Sequence, residues 1–395
     1  MKANVRKVLV GLVPLLSAAA CSDSTSSPVP AILVVTPDTV TLARLDSIPL
    51  TVLVSDKDTN PITGANLTFA SSDQAIVQVS STGLIRSVGG IGPATVTVTA
   101  GPVSYPVAVN VFASVALPDA PYGVAASTTG VVYVAPILGP AVRRLNLSDF
   151  TLSDAVLVGG NPAQVQFNAA GTTAFVTKRA SGLIGVVNVA SHSQTDSIAV
   201  PGNPYPIRVS PDGATAFVTS TAGWLYKIAV ASRSRVDSLL MPDPALQLAW
   251  GPGDSLLFVS SEGLGTVTEV RVATMAVVQT ILVGGTPQGL AVSPNGSELY
   301  VADESGPLRI MSLVTGNQIG TVATGGSTFG VALAPNGATL YVGTTAGKIL
   351  VVNRASRAIL RVYDVGGTPR LIAVDPVTLD AVVPNEAADR IDIVR

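Results

Sequence analysis

His192 and Cys21 are the only histidine and the only cysteine among 395 residues, and that scarcity bounds the chemistry open to the chain. A general base needs an orienting partner and a nucleophile within reach, and a structural zinc needs a full set of nitrogen or sulfur ligands. One histidine and one cysteine supply neither. His192 lies in Ala190-Ser191-His192-Ser193-Gln194, which reads as a solvated turn. Asp212, Asn295 and Asn336 recur at similar places, but each precedes a glycine in a Pro-Asp-Gly or Pro-Asn-Gly turn, where a short polar side chain caps the backbone. The recurring Gly-Gly pairs open no helix, so they are not phosphate loops. The expectation is a chain with no catalytic residues, no metal and no cofactor.

The elements that carry these residues repeat every 41 or 42 residues. Turn markers stand at Pro118-Asp119, Gly159-Gly160, Pro201-Gly202, Pro242-Asp243, Gly284-Gly285, Gly325-Gly326 and Gly366-Gly367, which makes seven units. Each unit holds short apolar runs of strand length separated by turns. A period of this size with all-strand content predicts a β-propeller with one four-stranded blade per repeat. The last unit has only three runs. Residues 112–117 match the ends of other fourth strands, such as Leu239-Leu240-Met241-Pro242-Asp243, and are expected to complete it. Without that closure an edge would stay open.

Against this monotony one set of positions varies. At the residue after the turn proline, or after Thr328, the repeats give Tyr122, Ala163, Tyr205, Ala245, Gln288, Phe329 and Arg370. Loops on the same face add Lys178, Arg179, Glu262, Asp303, Glu304, Asn385 and Glu386. A mixed aromatic and charged face at the channel mouth suits a peptide, glycan or small ligand. The alternative is that these are ordinary loop residues, with the aromatics plugging the channel.

Residues 31–111 lack the repeat but alternate apolar and polar residues in short runs, the pattern of a small β-sandwich that must hold without a disulfide. Ahead of it, Lys2, Arg6 and Lys7 precede a 13-residue apolar run, 8–20, that ends in Ser17-Ala18-Ala19-Ala20-Cys21. This has the three regions of a secretory signal and is too short to span a bilayer. Residues 21–30 are small, polar and proline-terminated, which suits a flexible tether. Removing the leader's three cations leaves 20 basic against 25 acidic residues, a net charge of −5, and no Lys/Arg cluster. Nucleic acid is not an expected partner.

Three resemblances follow from these residues. The segment ending at Cys21 resembles the lipobox of bacterial lipoproteins, with Ala18 where leucine is usual; this implies cleavage after residue 20 and acylation of Cys21, a palmitate-type membrane anchor. A plain signal peptide and a secreted protein are the alternative. Val35-Thr36-Pro37, Ser71-Ser72-Asp73, Val77-Gln78-Val79, Thr82-Gly83-Leu84-Ile85 and 92–98 resemble a bacterial Ig-like domain of group 2, with Phe69-Ala70 in place of the usual tryptophan. The units from 118 on, with Leu299-Tyr300-Val301-Ala302, Phe175-Val176-Thr177-Lys178 and the Ser-Pro-Asp-Gly turn at 210–213, resemble YVTN-family propeller repeats. Together they imply an all-β protein: leader 1–20, tether 21–30, Ig-like sandwich 31–111 and a seven-bladed propeller over 112–395. The implied function is a non-enzymatic binding or scaffold protein of the bacterial cell envelope, with an envelope protein or glycan as partner. A lactonase- or lyase-like propeller enzyme and a purely structural envelope component are the alternatives.

Overall fold

The computed structural model describes residues 28–395; the leader and Cys21 lie outside them. Nearly every element is a β-strand, and no helix among the described residues is long and apolar enough to cross a membrane.

The N-terminal strands form three small sheets around one core. Ile32–Thr36 pairs with Thr51–Ser55, Leu84–Ser87 lies between Ser47–Pro49 and Val77–Val79, and Gly92–Ala100 lies between Leu67–Ser71 and Val103–Ala116. Gly92–Ala100 buries every second residue, so Val96 and Val98 are fully enclosed against Val107, Val109 and Ile85. The run 48–54, which reads as one strand, is two. After Pro49, which has no N–H to give to a ladder, the Leu50 amide bonds the Gly83 carbonyl at 2.9 Å, and the chain then crosses to the other sheet.

Six four-stranded antiparallel sheets follow in strict chain order, beginning with Pro121–Ala126, Val132–Pro136, Ala141–Asn146 and Thr151–Leu157 as blade one. The seventh sheet takes Ala373–Val374, Ala381–Asn385 and Arg390–Val394 from the C-terminus and its outer strand from Val103–Ala116. The seam pairs Ala113–Ala116 with Arg390–Ile393 in antiparallel register. Because the same strand also belongs to the sandwich, no linker separates the two parts. Asn110 Nδ2 and Thr41 Oγ1 both donate to the Val362 carbonyl on the rim of blade six, at 3.4 and 3.2 Å.

Burial explains the radial order. Second strands such as Thr215–Ser220 are enclosed on both faces, whereas the outer strand Ser234–Leu240 is exposed at most positions. Seven apolar clusters each straddle one blade interface, including Phe175 with Ile207 between blades two and three and Val382 with Val134 between blades seven and one. Hydroxyls stitch neighbouring blades: Thr177 Oγ1 donates to the Tyr205 carbonyl at 2.8 Å, Thr219 to Ala245 at 3.2 Å and Ser260 to Gln288 at 3.0 Å. The expected turn chemistry is present, with Asp212, Asn295 and Asn336 accepting backbone N–H groups beside glycines of positive φ.

Candidate functional site

The inner strand of each of the first six blades leaves ladder register just after its first residue, between Pro162 and Val165 and between Pro204 and Ile207, for example. A bulge of this kind frees one side chain from the pleat and re-aims it. The freed residue follows the position that pairs with the end of the second strand. In blade four that anchor is Ala245, opposite Ser261, where other blades place Pro162, Pro204 or Pro287. The variable set is therefore Tyr122, Ala163, Tyr205, Leu246, Gln288, Phe329 and Arg370; Leu246 replaces Ala245. The extra proline at Pro244 obscures the offset in the sequence.

Tyr122, Tyr205 and Phe329 belong to blades one, three and six, yet their rings meet, so they meet across the axis. Tyr122 lies 5.7 Å from Tyr205 and 6.0 Å, edge-on, from Phe329. Two guanidinium groups cover this plug: Arg179 lies 4.8 Å from the Tyr205 centroid and Arg370 lies 4.4 Å from that of Phe329. Contacts of this sort contribute about 0.5–2 kcal/mol, more where water is excluded. Arg370 is also held by Glu386, Nε to Oε2 at 2.5 Å, and lies 3.7 Å from Glu304, which accepts from Gln288 Nε2 at 3.0 Å. Arg179 has no carboxylate partner among the described residues. Glu262, at the equivalent loop position of blade four, is exposed and makes no ion pair among the described residues.

Burial governs the titration of the two phenols. It pushes the Tyr122 hydroxyl well above its ordinary value and Tyr205 up to about 12. Both stay neutral at physiological pH, so neither serves as a phenolate base.

Lys178, Asp303 and Asn385 have a different role, since their polar atoms are spent on the blades' own loops. Lys178 Nζ donates to the Val158 carbonyl at 2.9 Å, and burial lowers its pKa. Asp303 accepts the Thr286 and Ser305 amides at 2.9 and 3.0 Å and pairs with Arg309 at 2.7 Å. Burial works to raise the Asp303 pKa, but those donors outweigh it and the carboxyl titrates below its usual range. Asn385 accepts the Thr368 amide at 2.8 Å and donates to Asp392 at 2.7 Å.

His192 lies in a turn, as expected, but is half-buried and holds partners. Its ring bridges Tyr133 Oη at 3.2 Å and Arg144 Nη1 at 3.1 Å, both in the preceding blade, so it braces the interface between blades one and two. Among the described residues, no three His, Cys, Asp or Glu side chains converge as a metal site requires.

No protein-family model matches the sequence, and no curated protein matches it. The fold is similar to that of a chain of Kuenenia stuttgartiensis hydrazine synthase, with a TM-score of 0.65 and 16% identity over 71% of this chain and 96% of that one. At that identity the likeness is one of β-propeller architecture.

Proposed function

We propose that this protein is a non-enzymatic binding or scaffold component of the bacterial cell envelope, tethered through an acylated Cys21 and presenting the mouth of its propeller to a partner. The N-terminal sandwich acts as an Ig-like spacer of group 2 type, and the blades are of the YVTN kind. The observation that carries the binding role is Arg179, a guanidinium over the Tyr205 ring with no carboxylate partner among the described residues, together with the exposed Glu262 at the equivalent loop position of blade four. Flat cations on aromatic faces are typical anchors of interfaces. An envelope protein or glycan that places an acceptor on Arg179 and a donor on Glu262 would complete both.

The rim, not the plug, is the place to test this. Tyr122 and Phe329 are 6% and 5% exposed, so truncating them would damage the fold as well as the face. The Arg179→Ala, Glu262→Ala double variant should fold normally and lose at least about tenfold in capture of its partner from native envelope extracts, the equivalent of one lost anchor. Capture equal to wild type would refute the mouth as the binding face. The anchor is tested separately by fractionating cells: wild type should sediment with membranes and Cys21→Ser should not, and equal partition would remove the lipid anchor from the proposal.

A further inference from the structure

Inside the ring, behind the aromatic plug, lies a cation with no counter-ion among the described residues. The inner strands are the narrowest part of each blade. In ladder register, the residue opposite the second-strand aromatic is alanine in blades one, four, five and six, as with Ala125 opposite Tyr133 and Ala249 opposite Phe258. The exceptions are adjacent: Gln166 opposite Phe175 in blade two and Arg208 opposite Phe217 in blade three. Two residues earlier in blades one, five and six stand Gly123, Gly289 and Gly330, where even a Cβ would strike the backbone of the next blade. A long side chain near this edge has only the axial space to extend into.

Arg208 fits that description. Protein surrounds it, yet the side chain keeps some accessible surface, as one lining an internal cavity does. Among the described residues its one hydrogen bond is to the Ile207 carbonyl of its own strand, at 3.0 Å, and it makes no ion pair there. The seven inner strands contain no Asp or Glu; the arginine just before the seventh, Arg370, is neutralised by Glu386. Burial lowers the Arg208 pKa only to about 10, so the charge persists at neutral pH. The strand of Arg208 packs between those of Gln164 and Gln247, whose amide nitrogens are buried and without a partner. Those side chains are 2% and 3% exposed. A buried charge with unmet donors nearby is costly unless something accepts from them.

We infer that the axial channel binds a small monovalent anion of halide size, held by the Arg208 guanidinium with the amides of Gln164 and Gln247 on the flanking strands. This site is distinct from the rim of the mouth and does not depend on any partner bound there. The alanines at this level and the aromatic plug at one end favour a halide over a large organic acid.

The test is thermal unfolding of the purified protein at constant ionic strength, with sodium bromide replacing sodium methanesulfonate, alongside Arg208→Ala. Alanine is what several other blades carry at this position, so the variant should fold. Wild type should gain about 2–5 °C at saturating bromide, and Arg208→Ala should gain nothing. Equal responses in the two proteins, or none in either, would overturn the site. Should the variant fail to fold, bromide anomalous scattering from wild-type crystals decides: a peak on the guanidinium supports the inference, and a lumen with water alone refutes it.

Discussion

Asp392→Ala is expected to lower the free energy of unfolding by about 3 kcal/mol or more, because it removes a buried carboxylate at the point where the ring closes. Asp392 is fully enclosed, and its oxygens accept from Ser114 on the incoming strand, from Asn385 Nδ2 at 2.7 Å and from Arg390 Nε at 2.9 Å. One side chain thus ties three strands of the seventh blade. Its loss takes one acceptor from each of Arg390 and Asn385, which keep only the Val365 and Gly366 carbonyls, and urea denaturation should show the lower midpoint. A midpoint within about 0.5 kcal/mol of wild type would mean that the ladder at 113–116 holds the seam without it. The pH dependence has a definite sign. Burial raises the Asp392 pKa above the ordinary 3.8 despite its donors, so the folded state holds this proton to higher pH than the unfolded chain does. The contribution of Asp392 to stability is greatest below the ordinary value and falls as pH climbs through the folded one. Asp392→Asn carries no such proton. Its stability relative to wild type should therefore improve as pH rises from below the ordinary 3.8 through the raised folded value, and a flat difference would contradict the raised value.

Gly123→Ala should cost about 3 kcal/mol or more for a reason unrelated to backbone torsion. Gly123 has no positive φ. A Cβ there would fall within the radius of the Ala163 carbonyl oxygen and 2.8 Å from Gln164 Cα. Both are backbone atoms of the next inner strand, so no side chain can rotate away, and blades one and two must separate. The control is Gly213→Ala in an open turn, where φ is +73° and nothing lies within 4 Å. That change should cost only about 1 kcal/mol, the ordinary strain of a left-handed residue. Thermal melts of the pair give the comparison, and equal losses would argue against close packing of the inner strands as the source.

The repeat made the blades legible because each is a local unit, antiparallel and joined by tight turns, so spacing alone marks it. The sandwich was harder to read. Thr39–Ala43 finds its partner in parallel register, Thr39 opposite Ala108, and no local pattern announces a parallel neighbour so distant in sequence. At the mouth, Tyr122, Tyr205, Gln288, Phe329 and Arg370 stood out because the surrounding positions are uniform, and the bulges bring them together. Lys178, Asp303 and Asn385 stand out by their place in loops on the same face, and loop position does not separate a side chain that caps its own loop from one that faces outward; only the position of groups such as the Thr286 and Thr368 amides does. His192 does lie in a turn, but its bracing role is not legible there. Its partners Tyr133 and Arg144 lie in a different blade, beyond the reach of any reading of its own turn. Arg208 was invisible among strand residues until the register placed alanines at its level.

The strand Val103–Ala116 also has a mechanical meaning. Tension applied from the N-terminal side runs along it into the seventh blade, parallel to the ladder it forms with Arg390–Val394. The seam bonds are then loaded together in shear, the direction in which a ladder resists best, instead of being peeled apart singly. Torque is transmitted as well: with Asn110 and Thr41 fastened to the carbonyl of Val362, the sandwich cannot turn without carrying the ring with it. The direction in which the mouth faces is therefore set by how the first strand is held.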